Sequence, residues 1–199
     1  RRQAARYASF SLFSPFPGAR GPHSILAQSL DGVDRPKLLP AVQTLLAHED
    51  SVPRSAAART FKNLTDEDLV ALLPNIVKAI ERIAPSNEMF ADGVRLAGLD
   101  LLSRLGIREG MALCVSVIEP ERWGERNRTK PCLTYLQRYG AHAKQLLPKL
   151  QEIRAHLATV KKAPADTLAQ FDQALAAISI STATPTLVSA AAFKPKPAK

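Results

Sequence analysis

Three sets of residues in this chain of 199 have the types and spacing to do chemistry. The first lies in Glu119-Pro120-Glu121-Arg122-Trp123-Gly124-Glu125-Arg126-Asn127-Arg128-Thr129-Lys130, which holds the only tryptophan and four basic residues among three glutamates. A guanidinium meets phosphate or carboxylate through two parallel hydrogen bonds. Tryptophan with arginine is the usual make-up of a binding hot spot. Arg122, Trp123, Arg126, Arg128 and Lys130 are therefore the candidate partner-binding set. A structural reading stands beside it, in which Trp123 caps the end of a helical hairpin and the charges pair off in water. The second set is Cys114 and Cys132, eighteen residues apart with Trp123 at their midpoint. Residues equidistant from the turn of an antiparallel hairpin lie at similar height. A disulfide is then open to them if their Cα atoms come within about 7 Å. The alternative is two buried thiols packed as small apolar groups. A nucleophilic thiol fits poorly, because apolar flanks raise its pKa. The third set is acidic: Asp66-Glu67-Asp68, and Glu81 with Glu88. These fall at expected helix ends, where capping and the helix dipole account for them.

Other catalytic patterns do not occur. The glycines at 93, 98, 106 and 110 follow no strand, so no phosphate loop is predicted. There is no Gly-x-Ser-x-Gly elbow. His23, His48, His142 and His156 are scattered, and none stands at ligand spacing from a cysteine or carboxylate. No catalytic, cofactor-binding or metal-ligating residue is assigned, and the expectation is a protein that is not an enzyme and takes no cofactor.

Charge points to partners instead. The formal net charge is +9, and it is uneven. Residues 107–162 carry eleven basic and five acidic side chains, whereas residues 36–106 carry eight and nine. Such a surface can attract nucleic acid, anionic lipid or an acidic protein. A solvated face of a basic protein is the simpler alternative. No apolar run approaches the roughly 20 residues of a membrane span. The chain begins Arg1-Arg2 with no charged-then-apolar leader, which reads as a processed chain or a fragment of a longer one.

The elements that must position these groups are helices. Leu38, Leu39, Val42, Leu45 and Leu46 share one face. His48-Glu49-Asp50-Ser51 turns the chain, with Asp50 or Ser51 as N-cap. Ala56, Ala57, Phe61 and Leu64 follow as a face of mostly small residues. Thr65 and Asp68 predict a capping box opening a helix through Leu69, Leu72, Leu73, Ile76, Val77 and Ile80. Pro74 predicts a kink or break near Leu73. The partner helix runs from Met89 or Phe90 to Leu105 and closes at Gly106. A third hairpin has an apolar helix over Met111 to Ile118, the Glu119–Lys130 connection as a loop, and a helix from Pro131 to Tyr139 that ends at Gly140. A long helix over about 141–160 contains Pro148, and a shorter one spans Asp166 to about Ile178. Before all of these, residues 1–35 read as an irregular cap with Tyr7, Phe10, Phe13 and Phe16 spaced three apart, then a short helix over His23–Leu30. After them, the Ser/Thr/Ala/Pro-rich residues 179–199 cannot order themselves alone. They need a partner chain or a groove of the same chain.

Leu-Leu-Pro recurs at 38–40, 72–74 and 146–148, at intervals of 34 and 74. A period in the thirties with two helices per unit signals an α-solenoid. The first hairpin resembles a HEAT repeat at Leu38-Leu39-Pro40, Leu45-Leu46, Glu49-Asp50, Val52, Arg54, Ala56-Ala57 and Leu64. Asp92-Gly93-Val94-Arg95-Leu96-Ala97-Gly98 repeats the Asp and Val-Arg part, with the spacing one shorter. The resemblance covers about residues 36–160. It implies that Leu39, Pro40, Asp50, Arg54, Leu73, Pro74, Asp92, Arg95, Leu147 and Pro148 are structural, with Asp and Arg joining neighbouring repeats. The runs Met89–Leu96, Glu109–Cys114 and Arg122-Trp123-Gly124 also resemble the C-terminal helical region of a family of large bacterial proteins without established activity, many of them exported. That likeness implies a helical part of a longer, envelope-associated chain.

The reading is an all-α, HEAT-like solenoid of about four hairpins over 36–178. Residues 1–35 form its N-terminal cap and 179–199 an extended tail. It is expected to be a non-catalytic scaffold whose partner is another protein or the rest of a longer chain. The rival is a nucleic-acid-binding solenoid using Arg122, Arg126, Arg128, Lys130, Arg138, Lys144 and Lys149. A further alternative is an accessory helical module of a larger exported enzyme.

Overall fold

A computed structural model of the chain describes residues 35–82, 91–118, 125–159 and 165–193. Among these residues the fold is all-α, with eight α-helices and no strand. The expected aromatic cap, the helix over His23–Leu30, and Arg122 and Trp123 lie outside the described residues. Two compact units divide the chain: residues 1–98 with 191–199, and residues 99–190.

The first unit holds α1 (Arg35–Leu46), α2 (Ser51–Ala58), α3 (Asp66–Glu81) and the start of α4 (Asp92–Arg104). Leu38, Val42 and Leu46 are buried, as the helical stripe predicts. Asp50 caps α2, accepting from the Val52 amide at 3.0 Å. Ala56, Ala57 and Ala58 are buried, so α2 is covered closely by its neighbours. Thr65 and Asp68 make the reciprocal capping box, each amide 3.3 Å from the other's side chain. No break accompanies Pro74, because α3 runs unbroken from Asp66 to Glu81. Proline removes one hydrogen bond from the ladder, but Leu72, Leu73 and Ile76 on the same two turns are fully buried. Their packing holds the helix through the lost bond.

Arg54 is fully buried and ties the ends of two helices. Its Nη1 donates to the carbonyls of His48 (3.2 Å) and Glu49 (3.3 Å) beyond α1. Its Nη2 donates to the Arg82 carbonyl at the C-cap of α3, 3.1 Å away. Arg82 in turn donates to the Ala47 carbonyl. A planar fork of five N–H groups suits this task, since the last carbonyls of a helix have no intrahelical donor. Between α2 and α4 the Val94 amide donates to Ser55 Oγ at 3.1 Å. Arg95 is buried beside it in sequence, and Asp92 opens α4 half-buried.

The second unit holds the rest of α4, then α5 (Glu109–Val117), α6 (Glu125–Gln137), a 3-10 stretch (Gly140–Leu146), α7 (Leu147–Thr159) and α8 (Ala165–Ile180). Two expectations are corrected here. The connection after α5 is shorter than predicted, because α6 begins at Glu125 and not at Pro131. Arg126, Arg128 and Lys130 are therefore helical. Arg128 and Thr129 are buried one turn before Pro131, and the Thr134 hydroxyl donates to the Lys130 carbonyl at 3.0 Å. Side-chain packing thus carries the helix past its proline. The long helix over 141–160 is in fact a 3-10 stretch followed by α7. Pro148 falls in the first turn of α7, where a missing N–H removes no ladder bond. The third Leu-Leu-Pro is accordingly unlike the second. Leu146 and Leu147 are half-buried at a helix junction, while Leu72 and Leu73 are mid-helix and sealed.

Candidate interaction surfaces

Of the expected Trp–Arg set, Arg122 and Trp123 lie outside the described residues, and one described member, Arg128, is in the core. Arg128 is 3% exposed, so it cannot reach a partner from the surface. Lys130 is exposed on α6, and Arg126 stands in the first turn of that helix. The basic residues of the rival reading are also partly engaged. Arg138 binds Asp100 at 2.7 Å and Ser103 Oγ at 2.9 Å, and lies 5.1 Å over the Tyr135 ring. Burial and the nearby Asp100 carboxylate raise the Tyr135 phenol. Lys149 pairs with Glu152 at 2.9 Å, while Lys144 is exposed.

A cleft of about 490 Å³ opens between α5 and α7. Val115, Ser116, Ile118, Glu152, Ile153 and His156 line it. The Ser116 hydroxyl donates back to the Leu113 carbonyl at 2.9 Å, and Glu152 is held by Lys149. Among the described residues no group of three or more His, Cys, Asp or Glu is placed to hold a metal ion. No helix among them is long and apolar enough to cross a membrane.

A groove of the second unit holds residues 181–189 as a non-helical segment that ends where a short 3-10 turn begins at Ala190. Two glycines make its corners. Gly106 closes α4 at φ +65°, with the Ile107 amide reaching back to the Leu102 carbonyl at 2.8 Å and the Gly106 amide to Ser103 at 3.4 Å. This paired return is the usual exit of a helix through a left-handed residue. It turns the next peptide groups outward. The Arg108 amide then donates to the Val188 carbonyl (2.9 Å), and the Val188 amide to the Gly106 carbonyl (3.0 Å). The pair forms a parallel bridge between Ile107 and Val188. Gly140, at φ +57°, makes the second corner, where the Ala141 amide donates to the Ala183 carbonyl at 2.7 Å. His142 Nε2 lies 2.9 Å from the Pro185 carbonyl.

Glu109 in the first turn of α5 fixes the far end. Its carboxylate accepts from the Ser189 hydroxyl at 2.5 Å and the Ala190 amide at 3.0 Å. Burial opposes its ionisation, but the hydrogen bonds from Ser189 and Ala190 outweigh it and hold the pKa below the ordinary carboxylate value. Behind these corners Tyr139 is fully buried, with its hydroxyl donating to the Ile107 carbonyl at 2.9 Å. Burial raises the Tyr139 phenol far above its usual range. Alongside the segment, Arg108, Met111, His142 and Gln145 face Thr184 to Leu187 across an open cleft of about 600 Å³. Of the side chains over 181–190 only Ala190 is buried, so main-chain bonds do most of the holding.

The sequence predicted that the tail needs a groove or a partner, and the structure supplies the groove. Nothing in the sequence singles out Glu109 or His142, and it marks Gly140 only as a helix end. A glycine after a helical stripe signals a left-handed exit, but nothing local shows that the freed peptide groups bond to Val188, eighty residues away. Comparison of the chain with protein-family models, with curated proteins and with solved structures finds no match.

Proposed function

We propose that the chain is a non-catalytic helical-repeat scaffold for protein–protein interaction, and that it recognises extended segments. The observation that supports this is the seated tail. A groove between two left-handed glycine corners holds a non-helical segment by its main chain and reads it at one place, the Glu109 carboxylate. Recognition by backbone pairing with a few side-chain pockets is a general way of binding extended peptides. A HEAT-like arrangement is part of the same proposal. Within the units α1 packs on α3 and α6 on α8, helices two apart in the chain, as stacked hairpins require.

Selection of a random-peptide library on the intact immobilised chain tests the reading. Extended peptides with a small hydroxylated residue followed by alanine should be enriched, and the enrichment should vanish on Glu109→Ala. Enrichment indifferent to Glu109, or none, removes the assignment. The same chain should give no salt-sensitive shift of a generic duplex DNA at low ionic strength. A strong shift would favour the nucleic-acid alternative.

A further inference from the structure

The chain has only two cysteines, and they meet. Cys114 sits on α5 and Cys132 on α6, and both side chains are fully buried. The helices pack against each other as the two arms of a hairpin. The two thiols are free, and Cys132 is the first of the neighbours that raise the Cys114 pKa. As filler, two small apolar groups could stand anywhere in a core this size. Here the only thiols of the molecule are both sealed, one on each of two helices that pack together.

We propose that Cys114 and Cys132 are a redox-convertible staple, and that the thiol pair seen here is its reduced form. A small-molecule disulfide such as oxidised glutathione is the oxidant. A thiolate of one cysteine attacks a glutathione sulfur, forming a mixed disulfide and releasing one glutathione thiol. The second cysteine sulfur attacks the first, closes the Cys114–Cys132 bond and releases the other glutathione. Two electrons pass to the oxidant, and the two thiol protons leave with the two glutathiones.

The surroundings set when this happens. The thiolate is the reactive form, and both the neighbouring Cys132 and burial hold Cys114 in its neutral thiol form. Arg138 is the charged group facing the pair that favours ionisation, and the buried Tyr139 phenol lies close by. Neither thiol is exposed to a solvent oxidant. The bond therefore closes while α5 and α6 are docking, and closes slowly in the finished fold. Once closed, it ties α5 to α6 across the seventeen residues between the two cysteines.

The full chain, reduced in denaturant and refolded in a mixture of reduced and oxidised glutathione, is alkylated with iodoacetamide and weighed. The expected product has lost two hydrogens and gained no alkyl group, and its non-reducing digest links the peptides carrying Cys114 and Cys132. Its melting temperature should exceed that of the dithiothreitol-treated chain by roughly 6–12 °C. The Cys114→Ala/Cys132→Ala variant should melt alike in both conditions. A refolded chain of native helicity with two alkylated cysteines overturns the proposal. If refolding yields no helical product, the native chain held in sub-denaturing urea with oxidised glutathione gives the same two mass outcomes.

Discussion

Arg54 shows how one residue can serve two helices. Its guanidinium is sealed from water and satisfies three backbone carbonyls at the ends of α1 and α3. Arg54→Ala takes these donors from the three carbonyls and opens a cavity where a fully buried side chain stood, so it should destabilise the chain by about 3 kcal/mol in urea melts. Arg54→Lys keeps the charge but not the fork, and should recover less than half of that loss. Glu109 makes a pH-dependent contribution. Its folded pKa lies below the value of about 4.3 expected in the unfolded chain. A lowered carboxyl adds stability that is fully present above the unfolded pKa and is lost as pH falls through the folded one. Urea midpoints measured between about pH 6 and pH 2.5 should therefore show wild type above Glu109→Gln at the higher pH, with the gap closing on acidification. A gap that stays constant would mean that Glu109 acts without ionising.

Elements divide sharply into those legible in the sequence and those that were not. The Asp50 cap, the Thr65–Asp68 box and the Gly106 exit were legible, because each is settled by residues within one or two turns of one another. The prolines were not. Pro74 and Pro148 both end a Leu-Leu-Pro and look alike locally, yet one sits mid-helix and the other opens a helix, while Pro131 lies in the second turn of a helix just after the buried Arg128 and Thr129. Burial of Leu72, Leu73, Arg128 and Thr129 decides between these outcomes, and burial depends on neighbours distant in the chain. For the same reason Arg128, expected in the connecting loop, is a core residue of α6. The two glycine corners provide the test at this scale. A Cβ on Gly106 would meet the Thr186 carbonyl oxygen at 2.5 Å, and one on Gly140 would press on that of Ala183. Both positions are also left-handed. Gly106→Ala and Gly140→Ala should each cost about 1–2 kcal/mol from the backbone alone. Each should also raise amide hydrogen exchange at Val188 more than in α8, because the tail is displaced first. Equal effects in both places would show that the corners do not hold the segment.

At the scale of the molecule, the chain is a helical framework in which a polar, low-complexity tail is ordered by peptide–peptide bonds and one carboxylate. Such a segment buries little of its own apolar surface, so its seat should open more easily than the helices beneath it. The central claim is that this seat recognises an extended peptide and that the tail occupies it in cis. Fluorescence anisotropy of a labelled peptide of sequence Ser181–Ala190, added to the full chain, tests it most directly. Val188→Pro removes the amide that donates to Gly106 and loosens the tail while leaving the groove unchanged. The Val188→Pro chain should bind the peptide at least tenfold more tightly than wild type, and adding Glu109→Ala should abolish the gain. A Val188→Pro chain of native helicity that binds the peptide no better than wild type would contradict the account.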